Sequence, residues 1–231
     1  MVCEKIANFA GDKKCDQMHK IAVLFDLDGV ILDTEGIYTD FWAEIGRRYN
    51  VPVEDFAHVI KGNTLARIFD TYFPKESERA EIRQLLVQQE LTMEYRPFPG
   101  ALELMQGLHE AGIATAIVTS SNAVKMQHIF EQLPQLAALT DVLITDEDVS
   151  HSKPHPEGYI NAADGLDAEQ FMVVEDSLAG IEAGHRAGAK VVGLATTCPR
   201  EKVEAAADFT FNSIEDIKPK FFIENLGTHI S

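Results

Sequence analysis

Two carboxylates separated by one residue, Asp26 and Asp28, follow directly on the apolar run Ile21-Ala22-Val23-Leu24-Phe25. Side chains two apart on an extended chain point to the same side, so both acids are expected to face one site. Gly29 then lets the backbone turn sharply. Three later segments also set reactive residue types where apolar runs end: Thr119-Ser120-Ser121-Asn122, Ser152-Lys153-Pro154-His155-Pro156 and Glu175-Asp176-Ser177. Taken one at a time, each has an ordinary explanation. Asp-Gly is a turn signal, Thr, Ser and Asp cap helices, and a lone loop lysine is solvated. Together they read differently, because ligands of open α/β sheets bind outside the carboxyl ends of the strands.

Asp26-Leu27-Asp28-Gly29-Val30 resembles the first motif of the haloacid dehalogenase-like phosphotransferases. The match through Asp33-Thr34-Glu35 is similar to the branch containing β-phosphoglucomutase and small sugar phosphatases. Thr119 matches the second motif, Lys153 the third and Val173-Val174-Glu175-Asp176-Ser177 the fourth, so the resemblance runs in order from Ile21 to about Asn212. It implies that Asp26 is a nucleophile and Asp28 a general acid and base. Thr119 and the neighbouring Ser120, Ser121 and Asn122 would hold phosphoryl oxygens, with Gly29 and Thr34 also beside the substrate. Lys153 would balance charge between nucleophile and phosphate. Asp26 and Asp176 would bind Mg²⁺ through their side chains and Asp28 through its backbone carbonyl, with Glu175 behind them or acting through water. Like charges about 4 Å apart repel by roughly 4 kcal/mol at an effective dielectric of 20, so three aspartates and a phosphate dianion need such a cation.

The elements that must position these residues follow from periodicity. The run before Asp26 reads as a strand buried on both faces. From Glu35 to Arg96 only helical spacing appears: Ile37, Phe41, Trp42, Ile45 and Tyr49; then Leu65, Ile68, Phe69 and Tyr72; then a helix from about Glu76 to Tyr95. Pro97-Phe98-Pro99-Gly100 closes that stretch as a linker would. Beyond it, helices alternate with strands at Ile113–Val118, Val142–Ile144, Phe171–Val174, Val191–Val192 and Phe209–Phe211. The expected fold is an α/β, doubly wound parallel-sheet (Rossmann-like) core made of residues 20–34 and 98–231, with residues 35–97 inserted as an all-helical cap. Residues 1–19 read as an N-terminal extension that need not be ordered. Within the cap, Lys61, Gly62, Asn63, Thr64 and Arg67 are the candidates to meet a substrate.

A formal net charge of -17 argues against a nucleic-acid backbone as partner. No apolar run approaches the roughly 18 residues of a membrane span. Three scattered cysteines form neither a disulfide framework nor a zinc-site spacing. The expectation is a cytoplasmic, monomeric, Mg²⁺-dependent phosphatase of a small phosphorylated metabolite. The rival is a sugar phosphomutase with the same Asp26 chemistry; pyrophosphatase and non-enzymatic phosphate-binding readings rank lower. Tyr38 decides between the first two. It stands ten residues after Asp28, where the β-phosphoglucomutases carry a histidine, and a phenol cannot serve as a neutral-pH switch. Leu65 likewise stands where their substrate-phosphate arginine falls, although Arg67 lies nearby.

Overall fold

The computed structural model describes residues 21–226; the expectations for the 1–19 extension, Lys20 and residues 227–231 lie outside them. Six parallel strands form one sheet in the order β3-β2-β1-β4-β5-β6. They are β1 (Ile21–Phe25), β2 (Ala114–Val118), β3 (Val142–Ile144), β4 (Gln170–Glu175), β5 (Lys190–Leu194) and β6 (Phe209–Phe211). This is the doubly wound order, whose direction reverses beside β1. Successive residues of β1 go to opposite faces: Val23 and Phe25 join one buried cluster, Ala22 and Leu24 the other. That is why the strand reads as one unbroken apolar run.

The chain between β1 and β2 is helical, and among the described residues it contains no strand. Helices α1 (Glu35–Arg48), α2 (Phe56–Val59), α3 (Leu65–Tyr72) and α4 (Glu76–Thr92) come first, then α5 (Ala101–Glu110) against the sheet. The first four enclose a third cluster, including Trp42, Ile45, Phe56, Ile68, Phe69, Phe73 and Ile82. Phe56 meets the rings of Trp42, Tyr72 and Phe73 edge-on. The segments that enter and leave this insert run side by side, tied by Asp33 N–H to the Arg96 carbonyl and Phe98 N–H to the Ile31 carbonyl.

One expectation is corrected. The helix from Glu76 stops at Thr92 rather than near Tyr95, because Met93 is already extended and Arg96 precedes a proline. Four short helices escaped the periodicity: α2, α7 (Pro134–Ala138), α10 (Arg200–Glu204) and α11 (Pro219–Asn225). The other helices of the core are α6 (Ala123–Gln132), α8 (Glu157–Gly165) and α9 (Leu178–Arg186). No helix among the described residues is long and apolar enough to cross a membrane.

Candidate active site

The site forms at the carboxyl ends of β1, β2 and β4. Asp26 N–H still bonds the Val174 carbonyl, 2.9 Å away, so the first acid is held by the sheet itself. The chain then folds into a tight turn in which the amides of Val30, Ile31 and Leu32 return to the Leu27 carbonyl. Leu27, Val30, Ile31 and Leu32 are all fully buried beneath it. Gly29 lies in the left-handed region at φ +81°, and a Cβ there would come within 2.1 Å of Asp176 Oδ2. The glycine is thus required both by the turn and by the approach of Asp176.

Lys153 reaches in from the loop after β3. Its ammonium donates to Asp26 Oδ1 at 2.5 Å, Glu175 Oε1 at 2.7 Å and the Val118 carbonyl at 3.0 Å. Glu175, at the end of β4, is fully buried, and both of its oxygens are committed. Oε1 also accepts from the Tyr159 hydroxyl, while Oε2 accepts from Asp176 N, Ser177 N and Ser177 Oγ. Burial alone would raise the Glu175 carboxyl, but the Lys153 ammonium and these donors hold it below the ordinary range. Gly180 allows helix α9 to pass this close, since a Cβ there would lie 1.7 Å from Glu175 Oε1. Ser177 caps that helix by accepting from Gly180 N.

The Asp28 carboxylate has partners of its own. Thr34 donates to its Oδ1 at 2.8 Å; Ser121 Oγ at 3.2 Å and Lys125 Nζ at 2.6 Å share its Oδ2. Of the expected phosphoryl-holding residues, Thr119 is buried and its Oγ1 accepts from Ser121 N, which leaves its hydroxyl proton free to donate. Ser120 is exposed. Asn122 is the N-cap of α6, accepting from Lys125 N at 2.9 Å.

Residues Asp26, Glu175 and Asp176 each offer a carboxylate oxygen within 4.8 Å of the others. Burial pushes the Asp26 carboxyl up to about 7 against the pull of Lys153, and it lifts Asp176 well above its usual range, helped by the charges of Glu175 and Asp26. One ammonium therefore faces three crowded carboxylates, a deficit of positive charge in an all-oxygen donor set. A small hard dication fits that set. Glu175 is tied up by its protein donors, so Asp26 and Asp176 are the carboxylates left for it. Asp28 stands outside this cluster and has Lys125 as its own cation, so the charge to be neutralised is less than three aspartates and a phosphate would suggest.

The cap candidates divide. Lys61 pairs with Glu35 at 2.8 Å. Asn63 Nδ2 donates to the Ile60 carbonyl, and Thr64 caps α3 by accepting from Arg67 N. Gly62 faces the core, where a Cβ on it would meet Cys198 Sγ at 3.5 Å. Arg67 is exposed, and its guanidinium has no ion-pair partner among the described residues. Leu65 is only partly buried at the start of α3.

Lys125, Tyr159 and Glu90 were not found from the sequence. Lys125 is 2% exposed on α6, and its ammonium also donates to the Tyr38 hydroxyl at 2.7 Å. Tyr38 donates in turn to Glu90 Oε1 at 3.1 Å. A cap at Asn122 and an apolar row of Met126 and Ile129 would have placed Lys125 on the inward face of the first turn. Nothing in the sequence named its partner.

Residues 23–194 match the family model of the haloacid dehalogenase-like hydrolases. Validoxylamine A 7'-phosphate phosphatase of Streptomyces hygroscopicus subsp. limoneus is 34% identical over 217 residues, which cover 87% of this chain and 97% of that protein. Hexitol phosphatase A of Escherichia coli (strain K12) is 30% identical over 202 residues, covering 84% of this chain and 91% of its own. The fold is also that of CbbY from Rhodobacter sphaeroides, solved in complex with phosphate, at a TM-score of 0.70 and 22% identity over 86% of this chain and 96% of that one.

Proposed function

The chain belongs to the haloacid dehalogenase-like hydrolases, and on that premise we propose that it hydrolyses phosphate monoesters of small polyhydroxylated metabolites through a phosphorylated Asp26. The observation that carries this reading is the Asp26 carboxylate itself. It is fixed at the end of β1, with one oxygen held by Lys153 and the other accepting no hydrogen bond among the described residues. In the relatives' names the substrates are phosphates of a hexitol and of validoxylamine A, which supports the substrate class.

Asp26 and Asp176 would hold Mg²⁺ with the Asp28 carbonyl. When bound, the cation neutralises phosphoryl oxygens and fixes the ester in line. The free oxygen of Asp26 attacks phosphorus, the P–O bond to the alcohol breaks, and Asp28, which starts this step protonated, gives its proton to the departing oxygen. Water then attacks the same phosphorus, Asp28 takes a proton from that water, and the Asp26 carboxylate is regenerated as the P–O bond to it breaks. Thr119 donates to a phosphoryl oxygen throughout. Lys153 favours the ionised form of Asp26 against its burial and aims it. Residues 35–97 act as a cap that excludes water and selects the alcohol, with Arg67 the basic group left to meet it.

A panel of hexitol, hexose and glycerol phosphates tests this reading by phosphate release, with and without chelation. Release from at least one polyol phosphate is expected, lost on chelation and restored by Mg²⁺. β-Glucose 1-phosphate with a trace of glucose 1,6-bisphosphate is the decisive arm. Glucose 6-phosphate formed much faster than free phosphate would make the protein a mutase.

A further inference from the structure

A lysine at position 125 is unfavourable twice over. It sits in the first turn of α6, where the helix dipole opposes a cation, and it is 2% exposed, where an ammonium loses its hydration. Such a group persists only where specific partners offset both costs. Its two partners lie on different parts of the protein: Asp28 Oδ2 at 2.6 Å belongs to the turn that follows β1 in the core, and the Tyr38 hydroxyl at 2.7 Å belongs to α1 of the insert. The ammonium also lies 5.1 Å from the centre of the Tyr38 ring. Behind Tyr38 stands Glu90 of α4, itself only 8% exposed. The chain of contacts Asp28–Lys125–Tyr38–Glu90 therefore crosses from the core to the insert.

We propose that Lys125 is a positioning residue for Asp28, and that it takes its own position from the insert through Tyr38 and Glu90. The acid–base carboxylate is then fully oriented only while the insert is seated on the sheet. Thr34, the N-cap of α1, and Ser121 also hold Asp28; among the described residues Lys125 is the group that joins that carboxylate to the Tyr38 side chain and through it to Glu90 of α4. The inference rests on Asp28 acting as the acid–base group of the proposed hydrolysis, and it adds the residues that aim it.

A double-mutant cycle tests this with p-nitrophenyl phosphate, whose leaving group departs without a proton and so keeps Asp28→Asn measurable. Lys125→Met should lower kcat, which for this ester reads the Asp28-assisted attack of water on phospho-Asp26, by about 30-fold in the wild-type background but by less than about 3-fold alongside Asp28→Asn, because a residue that acts through another is non-additive with it. Tyr38→Phe keeps the ring, deletes the hydroxyl and should show the same dependence on Asp28 with a smaller loss. It serves as the test if Lys125→Met does not fold. Equal losses in both backgrounds, or no loss from either substitution, would overturn this inference while leaving the hydrolysis intact. A wild-type protein that releases no phosphate from any ester would overturn both.

Discussion

In an Asp26→Asn protein, phosphate release is expected to fall below about a hundredth of the wild-type rate, more than about 2.7 kcal/mol of barrier. The amide nitrogen and oxygen occupy the space of the carboxylate, so the turn from Leu27 to Leu32 and the bond from residue 26 to the Val174 carbonyl both survive. The amide, however, is not a nucleophile and is a poorer cation ligand. Stability should hold, because the substitution removes a carboxylate that burial already penalises. Thermal melting checks that half of the expectation. A variant that folds and keeps more than a hundredth of the activity would count against covalent chemistry at this residue.

Lys153→Met is expected to cost both activity and stability, and that contrast separates the two roles. The ammonium bridges Asp26 and Glu175, and Glu175 has no exposure to water at all. Removing one partner of a buried ion pair leaves the other charge uncompensated, a loss of roughly 3–5 kcal/mol. Tyr159, Ser177 and two backbone amides still donate to Glu175, which keeps the loss toward the lower end. Denaturant unfolding at neutral pH reads it directly. Stability within about 1 kcal/mol of wild type would mean that Lys153 acts like a surface charge and not as the centre of the site.

Much of this arrangement is legible in the sequence because its cause is local. An unbroken apolar run reads as a buried strand, the four segments taken together place the chemistry at its end, and Gly29 marks the turn there. Ser177 as a cap and Gly180 as a close approach follow from residue type. Lys125 does not, because a lysine after a helix cap has the same letter whether it faces water or reaches Asp28 in an earlier part of the chain. Glu90 hides for a related reason: it continues the row of Ile82, Leu85 and Leu86 along α4, and a carboxylate at such a position reads as the exposed end of an apolar face until its partner Tyr38 is seen. The short helices α7 and α11 carry too few residues for a period to show, although Pro134 and Pro219 mark their first turns. Asn63 and Thr64 read equally as substrate contacts or as local hydrogen bonds, and the structure uses both locally.

The central claim is a phosphoryl group carried on Asp26. The most direct measurement mixes enzyme, Mg²⁺ and the best ester of the panel, quenches in acid within a single turnover, and maps the adduct by peptide mass spectrometry. A phosphoryl-sized mass increase is expected on the peptide carrying Asp26, forming before free phosphate appears and decaying as it accumulates. Phosphate released at the full rate while that peptide stays unmodified would contradict the account.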